Sequence, residues 1–172
     1  MVQIGNYHIG KAENAKPPTL DSGEAFLIWE QLISRYDIIE ITQIFQNFAH
    51  DPDFKLILKK GLRKTLEKQV DDLEKEMNTF KLPLPPRPPK SVRVKANQGV
   101  LDDRLIFRQV FSGMQSFLDN HMRAIRSTTT NDSLRHLFIT FAKEELDVFD
   151  NMCKFGKIKG WLEAPPMNTM VQ

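Results

Sequence analysis

The chain has 172 residues, 41% of them apolar and 27% charged, with a formal net charge of +2. That is the composition of one ordinary globular domain, long enough to bury a core without disulfide or metal staples. The near-neutral balance gives no electrostatic reason for a nucleic-acid partner, no apolar run approaches the roughly 18 residues of a membrane span, and the lone cysteine, Cys153, excludes an internal disulfide or a cysteine metal cluster.

Residues 1–20 are polar, hold Gly5, Gly10, Pro17 and Pro18, and show no sustained period, so they read as a flexible N-terminal arm. They lack the basic start and apolar core of a signal peptide, which points to cytoplasmic synthesis in a reducing compartment. Asp21 or Ser22 caps a first helix predicted over 22–49, with Glu24 placed to complete a capping box from Asp21. In the following "HDPDF", Asp51 is an N-cap and Pro52 suits the first helical position, where its missing N–H costs nothing.

The second helix is predicted over 52–81 as one uninterrupted element. Phe54, Leu58, Leu62, Leu66, Leu73, Met77 and Phe80 line one side of it at a helical period. Its other side, with Lys55, Lys59, Lys60, Arg63, Lys64 and Lys68, then Asp71, Asp72, Glu74 and Glu76, reads as a solvated face. "KLPLPPRPPKSVRVKANQG", residues 81–99, cannot be helical. In polyproline geometry about 18 residues reach about 56 Å, more than the roughly 42 Å of a 28-residue helix, so this segment can cross the whole molecule.

A third helix over 101–127 presents Phe107, Val110, Phe111, Met114, Phe117, Leu118 and Ile125 on one face. Asn131 or Asp132 caps a fourth over 132–158, which Gly156 or Gly160 can end in left-handed geometry, with Trp161 docking beyond it. Four amphipathic helices joined by short, long and short connections predict an all-α four-helix bundle over residues 21–166. The second and third helices should run parallel and residues 167–172 form a tail.

Two stretches carry a resemblance. "LEKQVDDLEKEMNTFKLPLPP" is similar to the second helix and exit of spore-coat-like, ferritin-like proteins of unknown function from endospore-forming bacilli, where a Gly-Ile-Pro-Ile-Pro type turn corresponds to Leu82-Pro83-Leu84-Pro85 here. "KFGKIKGWLEAPP" resembles the family's ending, with Lys159-Gly160 and Pro165-Pro166 in the matching places. The likeness spans about Asp21 to Pro166. It implies a ferritin-like bundle with no established activity, a spore-coat setting, and self-association or other coat proteins as partners. Many relatives look like two such units in tandem, whereas this chain holds one.

A ferritin-like di-metal site needs a Glu from each of two helices and Glu-x-x-His from the other two. This sequence has no Glu-x-x-His, and Gln69 stands where the resemblance implies a His. Interior-facing polar groups recur nonetheless. Asp37 and Glu40 fall on the side of Trp29, Ile33, Tyr36 and Ile44; His121 continues the line of Met114, Phe117 and Leu118; and Glu145 sits within the stripe Phe138, Phe141, Val148, Phe149 and Met152.

Three readings are open. Asp37, Glu40, Gln69, His121 and Glu145 form a buried hydrogen-bond network; or Glu40, His121 and Glu145 hold one iron or manganese ion; or some of these positions turn outward at a helix edge. No catalytic residue or cofactor is expected on the first reading. The corresponding functions are a non-enzymatic structural or interaction protein, or a metal-binding oxidoreductase with a rearranged carboxylate site.

Overall fold

The structure is a computed structural model that describes residues 2–4, 7–9, 19–89, 91–92, 101–163 and 165. Most of the arm, part of the Pro-rich connection and the tail over 167–172 lie outside the described residues. Within the arm, Val2–Ile4 (β1) and Tyr7–Ile9 (β2) pair antiparallel with Val2 opposite Ile9, so a segment expected to be loose carries a small hairpin. Two β-favouring tripeptides either side of Gly-Asn are a recognised hairpin signal.

The bundle consists of α1 (Ser22–Phe48), a second rod made of α2 (Pro52–Gly61), a π-helical turn (Leu62–Leu66) and α3 (Glu67–Thr79), then α4 (Asp103–Ser127) and α5 (Asp132–Lys159). Local chemistry sets each boundary. The Asp21 carboxylate accepts from the Glu24 backbone N–H while the Glu24 carboxylate accepts from that of Asp21. Asp51, Asp102 and Asn131 accept from the third residue of their helices, satisfying N–H groups that a helix start leaves free. Gly160 adopts φ 66°, and Trp161 N–H returns to the Gly156 carbonyl at 2.9 Å, a Schellman closure. The second rod ends the same way, with Leu82 N–H on the Met77 carbonyl at 2.8 Å and Lys81 at φ 56°, a position that favours glycine.

The continuous second helix expected over 52–81 is interrupted by the π turn, where Glu67 N–H reaches the Leu62 carbonyl five residues back. The apolar spacing explains it. Phe54, Leu58, Leu62, Leu66 and Val70 follow one another at intervals of four, and each interval overshoots one turn of a 3.6-residue helix by about 40°. One wider turn returns the stripe to the core. Phe54, Leu58, Leu62, Val70, Leu73 and Met77 are all buried, on both sides of it.

Side-chain contacts fix the direction of each helix. Asp103, at the start of α4, accepts from the backbone N–H groups of His50 and Asp51, both at 2.8 Å, between α1 and α2. Lys159 at the end of α5 reaches Asp51 and Asp53 at that same end. At the opposite end Thr130 donates to Glu24, bringing the α4–α5 turn against the start of α1. The second rod and α4 therefore run parallel, joined by a crossover along the bundle. Its described part is docked: Arg87 pairs with Glu74 on α3, Val92 N–H donates to Gln43 on α1 at 2.8 Å, and Asn47 donates to the Val92 carbonyl at 3.1 Å.

The core has two levels. Leu27, Ile28, Leu32, Tyr36, Leu73, Met77, Leu134 and Phe138 fill the end near the start of α1. Ala49, Phe54, Leu58, Ile106, Phe107 and Met152 fill the other, with Phe155 and Trp161 packed against them.

Candidate functional site

Between these levels lies a cluster of buried polar side chains, one or more from each helix. Its centre is Arg35 of α1, which is 0% exposed. Arg35 Nη1 donates to Gln31 Oε1 at 2.6 Å, Nε donates to Gln69 Oε1 of α3 at 3.1 Å, and Nη2 lies 3.2 Å from His121 Nε2 of α4. The guanidinium carbon stands 4.4 Å from the ring centre of Phe117 and 5.6 Å from that of Phe141 of α5, so aromatic faces cover part of the charge. Gln69 Nε2 passes the chain on to Glu144 Oε2 at 3.0 Å, and Lys68 closes it at the surface on Glu144 Oε1 at 2.5 Å.

The donor inventory fixes the state of His121. Arginine can only donate, so Nε2 accepts and the proton of the neutral ring sits on Nδ1. Nδ1 is buried and has no partner among the described residues. Burial, aided by the adjacent Arg35 charge, lowers the imidazole to about 3, which keeps the ring neutral. Burial also lowers Arg35, to about 10, against the opposing pull of Glu145.

Glu145 answers the question its stripe posed. It is 6% exposed, with Phe138, Phe141 and Met152 of the same helix buried around it. Among the described residues nothing donates a hydrogen bond to it, and no ion pair within 4.0 Å joins it to Arg35, which acts on it only through space. Burial raises its carboxyl to about 7, and Arg35 moderates the rise.

The carboxyl borders an apolar cavity of about 110 Å3. Thr42 and Phe45 of α1, Leu62 and Leu66 of the π turn, Met114 of α4 and Val148 of α5 are among its walls. The wide turn of the second rod thus faces an opening that regular helix packing would close.

Several expectations need correction. Asp37 is exposed and Glu40 only half-buried, because α1 is rotated from the phase read in the sequence: its interior line is Leu27, Ile28, Gln31, Leu32, Arg35, Tyr36, Ile39 and Thr42, and Trp29 is 43% exposed. Gln69 and His121 do meet, around an arginine that sequence reasoning overlooked. Glu40, His121 and Glu145 make no ligand set. Among the described residues no group of three or more His, Cys, Asp or Glu is placed to hold a metal ion. The His121 Nε2 lone pair is committed to Arg35, and a guanidinium stands where a divalent ion would need anionic oxygens, so the residues present do not fit an iron or manganese site.

Among the described residues, no helix is long and apolar enough to cross a membrane. No curated protein matches this chain. Among solved structures, it is similar to a candidate spore coat protein of Bacillus halodurans C-125, with 23% identity, a TM-score of 0.81, and 88% of this chain and 97% of that one covered. It also resembles a conserved hypothetical protein of Mycobacterium tuberculosis, with 11% identity, a TM-score of 0.63, and 79% and 99% covered. At these identities the likeness establishes the bundle fold. The family model described as protein of unknown function (DUF3231) matches residues 9–171, nearly the whole length of the chain, and the chain belongs to that family.

Proposed function

We propose that this chain is a non-enzymatic structural or interaction protein of the bacterial spore coat, a ferritin-like bundle that works by associating with further copies of itself or with other coat proteins. One observation carries the non-enzymatic part. The level of the bundle at which a ferritin-like protein would gather carboxylates is occupied by a buried cation whose hydrogen-bond acceptors come from α1, α3 and α4. A positive charge there opposes metal binding and ties the helices in one register. Glu145 has the near-neutral pKa of an acid–base catalyst, yet among the described residues no second titratable group lines its cavity, Lys60 and Lys64 lining only the outer vestibule, and a reaction would need a second group beside it to bind or activate a substrate. The coat setting is supported by the fold shared with the Bacillus halodurans candidate coat protein and by the spore-coat-like resemblance that the exit Leu82-Pro83-Leu84-Pro85 carries.

No observation favours the metal-binding oxidoreductase. Elemental analysis of protein purified without chelator should find far less than one iron or manganese per chain; a stoichiometric ion would overturn the non-metal reading. For the setting, an antibody to the purified chain should detect it in the coat extract of spores of the encoding organism and not in growing cells. Equal amounts in growing cells and none in the coat extract would refute it.

A further inference from the structure

The cavity beside Glu145 pairs two features that call for different things. Its walls are almost entirely apolar, from four separate parts of the bundle; at about 110 Å3 it is smaller than the roughly 150 Å3 apolar cavity that holds a benzene molecule, so an aromatic occupant would extend into the adjoining vestibule. Its one ionisable group among the described residues is a carboxyl, 6% exposed, to which nothing described donates, so a donor entering the cavity would gain a hydrogen bond to a charged group. The space is also accessible. An outer vestibule of about 350 Å3 between the second rod and α5 shares Ile57, Gly61, Thr65, Val148 and Met152 with it, leaving a route from solvent to the carboxyl.

We infer that this cavity is a binding site for a small neutral molecule with an apolar body and a single hydroxyl group, in the size class of phenol, whose hydroxyl donates to Glu145. Charge balance selects the class. Arg35 already lies close enough to act on Glu145 as its counter-charge, so the carboxyl lacks a donor and not a cation. An ammonium ligand would bring a second positive charge beside the buried guanidinium and lose its own hydration. A carboxylate ligand would meet Glu145 as a like charge. A pure hydrocarbon would fill the volume and leave the carboxyl bare. Only the neutral hydroxyl meets both needs, and the π turn supplies the width: Leu62, Thr65 and Leu66 of that turn all line the space, and such turns recur at ligand sites. The inference is independent of the spore-coat proposal.

The test is titration of the purified full chain at pH 8, by calorimetry and by thermal shift, with phenol, toluene, benzylamine and benzoate as probes. Phenol should bind about tenfold or more tighter than toluene, the expected effect of a hydrogen bond to a charged group, and neither charged probe should exceed toluene. In Glu145→Leu the preference for phenol over toluene should vanish. In Gly113→Leu, which adds a side chain at the cavity wall from α4 and leaves the Glu145 carboxyl in place, phenol binding should be lost. Equal affinities for phenol and toluene in the unmodified protein, a charged probe binding tightest, or no binding by any probe would each overturn the assignment. So would unchanged phenol binding in Gly113→Leu. Should Glu145→Leu fail to fold, the phenol-to-toluene ratio in the unmodified protein still decides.

Discussion

Around Phe107 the bundle is filled until a single methyl group has no place, whereas around Arg35 it holds a hydrogen-bonded buried cation and, beside Glu145, an opening. At the first level Phe54, Phe107, Phe155 and Trp161 meet with ring centres 5.5 to 6.4 Å apart, and a Cβ on Gly156 would stand 2.3 Å from Phe107 Cζ. At the second, the guanidinium is desolvated, His121 Nδ1 has no partner among the described residues and Glu145 borders a cavity. The aromatic level gains by apolar burial, which many arrangements of similar side chains would supply. The polar level gains little net free energy but accepts one geometry, since α1, α3 and α4 must each present a partner at the same height. Stability and register are assigned to different levels of one core.

The sharpest way to break this comparison is to remove the central cation. Arg35→Ala leaves acceptors on Gln31, Gln69 and His121 without a donor and a void between Phe117 and Phe141, and should cost about 3 to 5 kcal/mol by urea denaturation. A loss under about 1 kcal/mol would mean that the polar level is not fixing the bundle.

Next in size is the response to pH, where His121 and Glu145 act in opposite directions. His121 titrates near 6.5 when unfolded and near 3 when folded, so the unfolded chain binds more protons between these values and the histidine makes stability rise with pH across that window. Glu145 goes from about 4.5 unfolded to about 7 folded, so the folded chain binds more protons there, and this carboxyl makes stability fall as pH rises from 4.5 to 7. Where the windows overlap, from about 4.5 to 6.5, the two slopes offset, and the contribution of this level should be nearly flat. Glu145→Gln should expose the histidine slope, with stability rising by up to about 3 kcal/mol across the overlap, at about 1.4 kcal/mol per pH unit. Thermal melts of both proteins from pH 4.5 to 7 measure it. Parallel profiles would show that Glu145 titrates as an exposed carboxyl.

Much of the fold was legible because each boundary has its own chemical mark: Asp21 with Glu24, Asp51 before Pro52, and Gly160 all act as their residue types suggest. The long Pro-rich crossover and the parallel second rod and α4 followed from connection length. The phase of α1 did not, because Phe26, Leu27, Ile28, Trp29, Leu32 and Ile33 place apolar groups around most of its circumference, and no single stripe stands out. With that phase, Asp37 and Glu40 fall inside and Arg35, a residue type rarely buried, draws no notice. A signal was available in Gln31 and Arg35 one turn apart, matching the unusual core residues Gln69 and His121. The π turn was also written in the sequence, as the run of four-residue intervals from Phe54 to Val70 that a regular helix cannot keep on one face.

The same substitution at two glycines sharpens the comparison with the smallest perturbation available. Gly156 and Gly113 both lie in helix interiors, where alanine is normally favoured over glycine by about 0.5 to 1 kcal/mol. At Gly156 the new methyl meets the Phe107 ring at three atoms, and that ring cannot retreat because Phe54, Phe111, Phe155 and Trp161 surround it. Gly156→Ala should therefore lose about 1 to 3 kcal/mol, the range for overpacking a filled core. At Gly113 a Cβ meets nothing within 4 Å, since the residue faces the cavity, and only the helix preference remains. Gly113→Ala should gain up to about 1 kcal/mol. Opposite signs in denaturant midpoints, with unchanged slopes, would place the difference in packing and not in the unfolded chain. If both variants gained stability, the aromatic level would have slack that its ring spacings do not suggest. If both lost it, the opening beside Glu145 would be closed in solution.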